Sequence, residues 1–212
     1  MEEVQSLCDL HSALFHGKTE AEVYIEEERA MTPYLIQILK DENIELLKRI
    51  RDLKKLLQTN ADPKAVEEAL IDLKTLKVHY AKKEELIMPY LYDIGIEGPS
   101  QVMWGVDDDI LKTLSALIKP KTFDARQVNM LLDRMKEMVF KEEQILFPMA
   151  KEKLDPQVWL ETYGDIAEFG YAWLDHATPW PKGEEWEKEH VWKPEDVDVC
   201  LPTGTVKLST LA

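Results

Sequence analysis

Two matching stretches constrain this chain more than any other feature. From His79 to Leu91 it reads His-Tyr-Ala-Lys-Lys-Glu-Glu-Leu-Ile-Met-Pro-Tyr-Leu; 59 residues later, from Met138 to Ala150, it reads Met-Val-Phe-Lys-Glu-Glu-Gln-Ile-Leu-Phe-Pro-Met-Ala. Pro89 and Pro148 coincide, as do the charged clusters and the apolar runs before each proline. Two similar helices with a third between them imply a bundle with approximate internal two-fold symmetry. Equivalent residues of the two repeats then approach each other at one central point, and the functional question is which side chains occupy it.

Around this repeat the punctuation predicts an all-α fold. A short amphipathic helix over residues 3–15, carrying Val4, Leu7, Cys8 and Leu14, ends at Gly17. A long helix follows over 20–57, with Glu27, Met31, Tyr34 and Ile38 at helical spacing, then Leu46, Ile50 and Leu53. Pro33 either bends this helix or marks its true start. Asp62-Pro63 opens a helix that runs to about Leu91 and closes at Gly95 and Gly98-Pro99. Further helices are expected over 101–118, from Asp124 to about Glu152, and from Asp155-Pro156 toward Trp173. Pro89 and Pro148 each lift an intrahelical hydrogen bond and kink their helices near the end. Each long helix has one apolar stripe to hide, so an up-down-up-down four-helix bundle results, with short extra helices at both ends. Residues 1–178 form this bundle domain. Residues 179–212, rich in tryptophan and proline and without helical period, form an extended tail or linker.

Composition excludes several functions. The chain has 212 residues, 41 of them acidic and 26 basic, for a net charge of -15, which leaves no basic face for nucleic acid. No apolar run approaches the roughly 20 residues of a membrane span. The N-terminus lacks the basic and apolar regions of a secretory signal. Cys8 and Cys200 have neither metal-ligand nor redox spacing and read as thiols, so the cytoplasm is the expected location.

The stripe through the later repeat, Met135, Met138, Glu142, Ile145 and Met149, puts Glu142 in the interior. The earlier repeat offers Leu76, His79, Lys83, Leu86 and Tyr90, or its neighbour Leu73, Tyr80, Glu84, Ile87 and Leu91. Asp107 lies on the helix between them, at the head of three aspartates where capping competes with any other role. Glu27, Glu22 and Glu26 come from the first long helix. Buried carboxylates from separate helices must be neutralised. Either His79, Glu142, Asp107 and Glu84, with one or more of Glu22, Glu26 and Glu27, hold one or two iron or manganese ions, or Lys83 forms an ion-pair network with Glu142 and Asp107 and no metal binds.

The phrases Glu142 to Pro148 and His79 to Pro89 resemble the hemerythrin-like, or HHE cation-binding, domains. Others look like the DUF438 group: Leu7-Cys8-Asp9-Leu10-His11, Ile25-Glu26-Glu27-Glu28-Arg29-Ala30, Val102-Met103-Trp104-Gly105-Val106-Asp107-Asp108 and Phe169-Gly170-Tyr171. The run from Leu201 to Leu211 resembles the approach to a PAS sensor domain. The resemblance implies a bundle around a non-haem diiron site that binds a small diatomic ligand. Its metal positions fall at Glu22, His79, Lys83, Asp107, Met138 and Glu142, of which only His79 and Glu142 match. Histidine is expected at 22, 107 and 138, and glutamate at 83. A non-enzymatic sensory or regulatory module with a degenerate or carboxylate-rich centre follows. Its partner is a downstream sensor or regulatory domain or protein, and it is a monomer or homodimer. The alternative is a working diiron or dimanganese site that reacts with oxygen, peroxide or nitric oxide.

Overall fold

The computed structural model describes residues 29, 31–59, 61–119, 124–190, 198–201 and 204–207. The expected helix over 3–15 and the residues Glu22, Glu26 and Glu27 lie outside them. Two compact units are present, Met1–Ala177 and Thr178–Ala212.

In the first unit the described elements are helical. α1 spans Tyr34–Gln58, α2 Pro63–Asp72, α3 Leu76–Leu86, α4 Met88–Asp93, α5 Gly98–Ile118, α6 Ala125–Lys141, α7 Phe147–Lys153 and α8 Pro156–Phe169. A 3-10 turn at Leu73–Thr75 joins α2 to α3, and a π-helical turn at Glu142–Leu146 joins α6 to α7. Aspartates set three of the starts. Asp62, Asp124 and Asp155 accept hydrogen bonds from the backbone N–H groups of Lys64, Arg126 and Gln157, at 3.0, 2.9 and 2.8 Å. Proline follows Asp62 and Asp155 directly, where its missing N–H costs nothing.

Pro33 proves to be a start, not a bend. Its extended ψ of 140° makes it the cap of α1, so the helical period does not run back through it. Met31, expected on the buried stripe, is accordingly 71 % exposed. Pro89 and Pro148 solve the same problem in the same way: each occupies the second position of a fresh helix, α4 or α7. Before Pro89 the break falls at Ile87 (φ -123°); before Pro148 it is the π turn, closed by Phe147 N–H donating to the Glu142 carbonyl. The π turn inserts about one residue into the helical register. Beyond it, Leu146, Phe147 and Ala150 face the core, while Ile145 is exposed and Met149 only half-buried, contrary to the uninterrupted stripe.

Helix α1 packs against α2, α3, α6 and α8, and α5 packs against α2, α3 and α6. Leu35, Leu39, Leu46, Leu73, Leu76, Ile110, Leu132, Met135 and Leu146 are almost wholly removed from water between them. No helix of the described residues is long and apolar enough to cross a membrane.

Where the sequence led to an extended tail or linker, the described residues of the second unit include a helix and a hairpin. α9 spans Pro181–His190, and a two-stranded antiparallel hairpin pairs β1 (Asp198–Leu201) with β2 (Gly204–Lys207). Helix α9 is too polar to show an apolar period. It is supported locally by Glu184 in its first turn, Lys188 and His190 in its last, and the Trp186 and His190 rings stacked at 4.3 Å.

Candidate metal centre

Three charged residues of α3, one each of α1 and α5, and one of the π turn meet in the middle of the first unit. His79, Lys82, Lys83, Glu42, Asp107 and Glu142 are each at most 1 % exposed. Three carboxylates thus face two ammonium groups and one imidazole. The cost of removing these charges from water demands close pairing.

The pairing is nearly complete. Glu142 Oε1 accepts from Lys83 Nζ at 2.5 Å, and Glu142 Oε2 accepts from Asn43 Nδ2 at 3.0 Å and lies 3.2 Å from His79 Nε2. The other imidazole nitrogen, Nδ1, is 2.9 Å from Glu42 Oε2. Glu42 Oε1 accepts from Lys82 Nζ and from the backbone N–H of Ala172, at 2.7 Å for the latter. Lys82 also donates to the Gly170 carbonyl at 2.7 Å. Asp107 Oδ2 is 2.8 Å from Lys83 Nζ, an ion pair out of line for a directed hydrogen bond. Neither Asp107 oxygen has a hydrogen-bond partner among the described residues.

The two sequence repeats therefore meet at equivalent positions, Lys83 of one against Glu142 of the other. The turn after α8 supplies a lid for Lys82. There Gly170 (φ 75°) takes a left-handed conformation that suits glycine, and the Tyr171 ring lies 5.3 Å from the ammonium. Lys83 likewise sits 4.4 Å from the centre of the Tyr80 ring.

These contacts dictate protonation. Burial works against a charged His79, but Glu142 and Glu42 outweigh it and hold the imidazole at about 9. With a carboxylate on each nitrogen, both nitrogens donate, and His79 is an imidazolium at neutral pH. Burial would raise Glu142, yet Lys83 and His79 bring it down to about 2. Glu42 is held below its ordinary range against burial by His79 and Lys82. The adjacent lysines diverge. Burial would depress Lys83, but Glu142 and Asp107 raise it; for Lys82, burial prevails over its single carboxylate and lowers it. Burial pushes Asp107 up to about 6, since Lys83 pulls down less than burial and Glu142 push up. Half-buried Glu84 rises to about 7 through burial and repulsion by Asp107.

A distinctive pH dependence follows. His79, Asp107 and Glu84 bind their protons more tightly folded than unfolded. Their contribution is full below the unfolded values of 6.5, 3.8 and 4.5 and is lost as pH rises through about 9, 6 and 7. Glu142 acts oppositely: its contribution is present above 4.5 and lost as pH falls toward about 2. Stability should therefore peak in mild acid, at roughly pH 4–5, and decline to about pH 9, with His79 alone responsible for on the order of 3 kcal/mol. Urea unfolding across that range measures it, and stability that is flat or rising up to pH 9 would contradict a charged His79.

The sequence candidates His79, Glu142 and Asp107 are brought together, and Glu84 stands beside them at the border with solvent. Asp107 is well inside α5, which begins at Gly98, so it has no capping role. Glu42, Asn43 and Lys82 were not anticipated. Glu42 fills the gap in the α1 stripe between Ile38 and Leu46, four residues from each, and that gap was its only signal.

Paired iron is the cofactor that the resemblance implies, with manganese the alternative the donor types suit, and the described residues fit neither. A ligating imidazole must offer a lone pair, whereas both His79 nitrogens donate to carboxylates. An ion bound at Glu142 would also meet the Lys83 ammonium at close range. Among the described residues, no three His, Cys, Asp or Glu side chains form a metal-binding group.

No curated protein matches the chain. The family model described as hemerythrin HHE cation binding domain matches residues 24–150, a span that includes Glu42, His79, Lys82, Lys83, Asp107 and Glu142. The chain belongs to the hemerythrin HHE cation-binding family.

Proposed function

We propose that the chain is a non-enzymatic hemerythrin-like module, an up-down-up-down bundle whose centre is neutralised by its own cations instead of by metal. The observation that carries this reading is His79 held between Glu42 and Glu142 while Lys83 bridges Glu142 to Asp107. With every charged donor of the centre committed to a protein partner, nothing is left to activate oxygen or peroxide. The role that remains is regulatory: a cytoplasmic module of the DUF438 type that passes a signal to a following sensor domain or to a partner protein.

The competing reading, a diiron or dimanganese site acting on oxygen, peroxide or nitric oxide, draws support from the family match. It requires Lys83 to withdraw and His79 to lose a proton from a site that favours the imidazolium. Aerobic loading with ferrous iron tests the two. A metal-free centre gives no charge-transfer absorption, no consumption of oxygen or peroxide, and no shift in thermal midpoint. A band that disappears in Glu142→Ala, with the helical fold retained, would establish the competing reading instead.

A further inference from the structure

Beside the ionic centre, the end of α3, α4 and the start of α5 border a groove of about 390 Å³. That volume falls within the range of sites that hold small ligands, roughly 300–1,000 Å³. Its walls are Met88, Pro89, Tyr92 and Trp104, and its polar groups are Gln101 and the carboxylates of Glu84, Glu85 and Asp93. Trp104 is 60 % and Tyr92 52 % exposed, a large aromatic surface left in water. The phrase Val102 to Asp108, which carries part of the family resemblance, holds Trp104, and the buried centre uses only its Asp107.

The groove has one sign of charge. No lysine or arginine lines it among the described residues, and none of its three carboxylates has a described ion-pair partner. Two anions, Glu85 and Asp93, with the partly protonated Glu84 and two exposed aromatic rings favour a cation, because ring faces and carboxylates both attract positive charge. Methionine and proline walls add a requirement for an apolar body, which a hydrated metal ion cannot meet.

We propose that this groove binds a small organic ammonium ion with an apolar body, its charged head among Glu84, Glu85 and Asp93 and its body against Tyr92 and Trp104. The site borders the ionic centre, and its body-binding walls, Tyr92 and Trp104, lie outside that centre. Glu84 is the residue the two share, being both a wall of the groove and a charged neighbour of Asp107.

The test is a titration of the full chain with benzyltrimethylammonium, followed through the Trp104 indole N–H resonance assigned by Trp104→Phe. Saturable movement of that resonance is expected. Trp104→Ala should weaken binding about tenfold, a typical size for a cation over an indole, and Glu85→Gln should weaken it several-fold and reduce its dependence on salt. Both side chains are exposed, so circular dichroism should show unchanged helix content. Benzyl alcohol, the neutral counterpart, should bind at least tenfold more weakly. An unmoved Trp104 resonance, equal binding of benzyl alcohol, or movement by magnesium or a lysine peptide but not by benzyltrimethylammonium would each overturn the proposal.

Discussion

Lys83→Met is expected to destabilise the fold by about 3–5 kcal/mol, the scale for removing one partner of a buried ion pair. Methionine keeps most of the volume and the unbranched shape of the lysine stem, so little of this loss comes from packing. It comes from Glu142, which loses a donor at 2.5 Å, and from Asp107, which loses the cation 2.8 Å away. Asp107 can escape by taking up a proton, having been pushed up to about 6 already. The penalty should therefore shrink below that pH. Urea unfolding at about pH 5 and pH 8 measures both the loss and its pH dependence. Had Lys83 been an intruder in a carboxylate cavity shaped for metal, the same substitution would stabilise the protein, and that result would reverse the assignment.

His79→Leu should cost a similar amount, again about 3–5 kcal/mol. Without the imidazolium, Glu42 Oε2 and Glu142 Oε2 face each other with no cation between them, and each loses a hydrogen bond. One carboxylate must then protonate, so the variant should lose more stability between about pH 5 and pH 8 than the native chain does. Removing an opposing carboxylate as well should recover part of the loss. His79→Leu together with Glu142→Leu is expected to be less damaging than the sum of the single changes, by a coupling of about 1–3 kcal/mol. Additive single effects would mean that His79 is only filling space.

Much of this arrangement was legible in the sequence, for local reasons. Aspartate and proline at 62–63 and 155–156 state a helix start in chemistry that tertiary contacts rarely override, and the structure begins helices there. The apolar stripe that passes through Met135, Met138 and Glu142 placed that carboxylate inside, and its position against Lys83 follows from the 59-residue offset of the repeat. The pattern failed where the backbone departs from the ideal helix. A π turn directly after Lys141 rotates the face, exposing Ile145 and burying Leu146, and no periodic template encodes that extra residue. Glu42 and Lys82 were hidden for another reason. A charged residue on an apolar face reads as solvent-facing until its partner is known, and these two pair with each other across 40 residues, while Lys82 reaches Gly170 across 88 and Glu42 reaches Ala172 across 130. Helix α9 escaped because its stability is electrostatic and local instead of amphipathic.

Lysine at position 83 also explains why family membership alone does not assign a metal. The family model that matches residues 24–150 is described as cation binding, and at this chain's centre Lys83 and His79 already stand against the carboxylates. An ammonium and an imidazolium satisfy the same requirement as an iron pair, which is to neutralise acidic groups that the bundle keeps from water. What they lack is an exchangeable coordination position, and with it the chemistry of a metal.

Metal content of the full chain, produced with iron and manganese in excess and measured by plasma mass spectrometry after gel filtration, bears on this most directly. Fewer than about 0.1 metal ions per chain is the predicted result, as expected where a buried lysine and a histidinium already pair the carboxylates. One or two ions per chain, lost in Glu142→Ala with the fold intact, would contradict it.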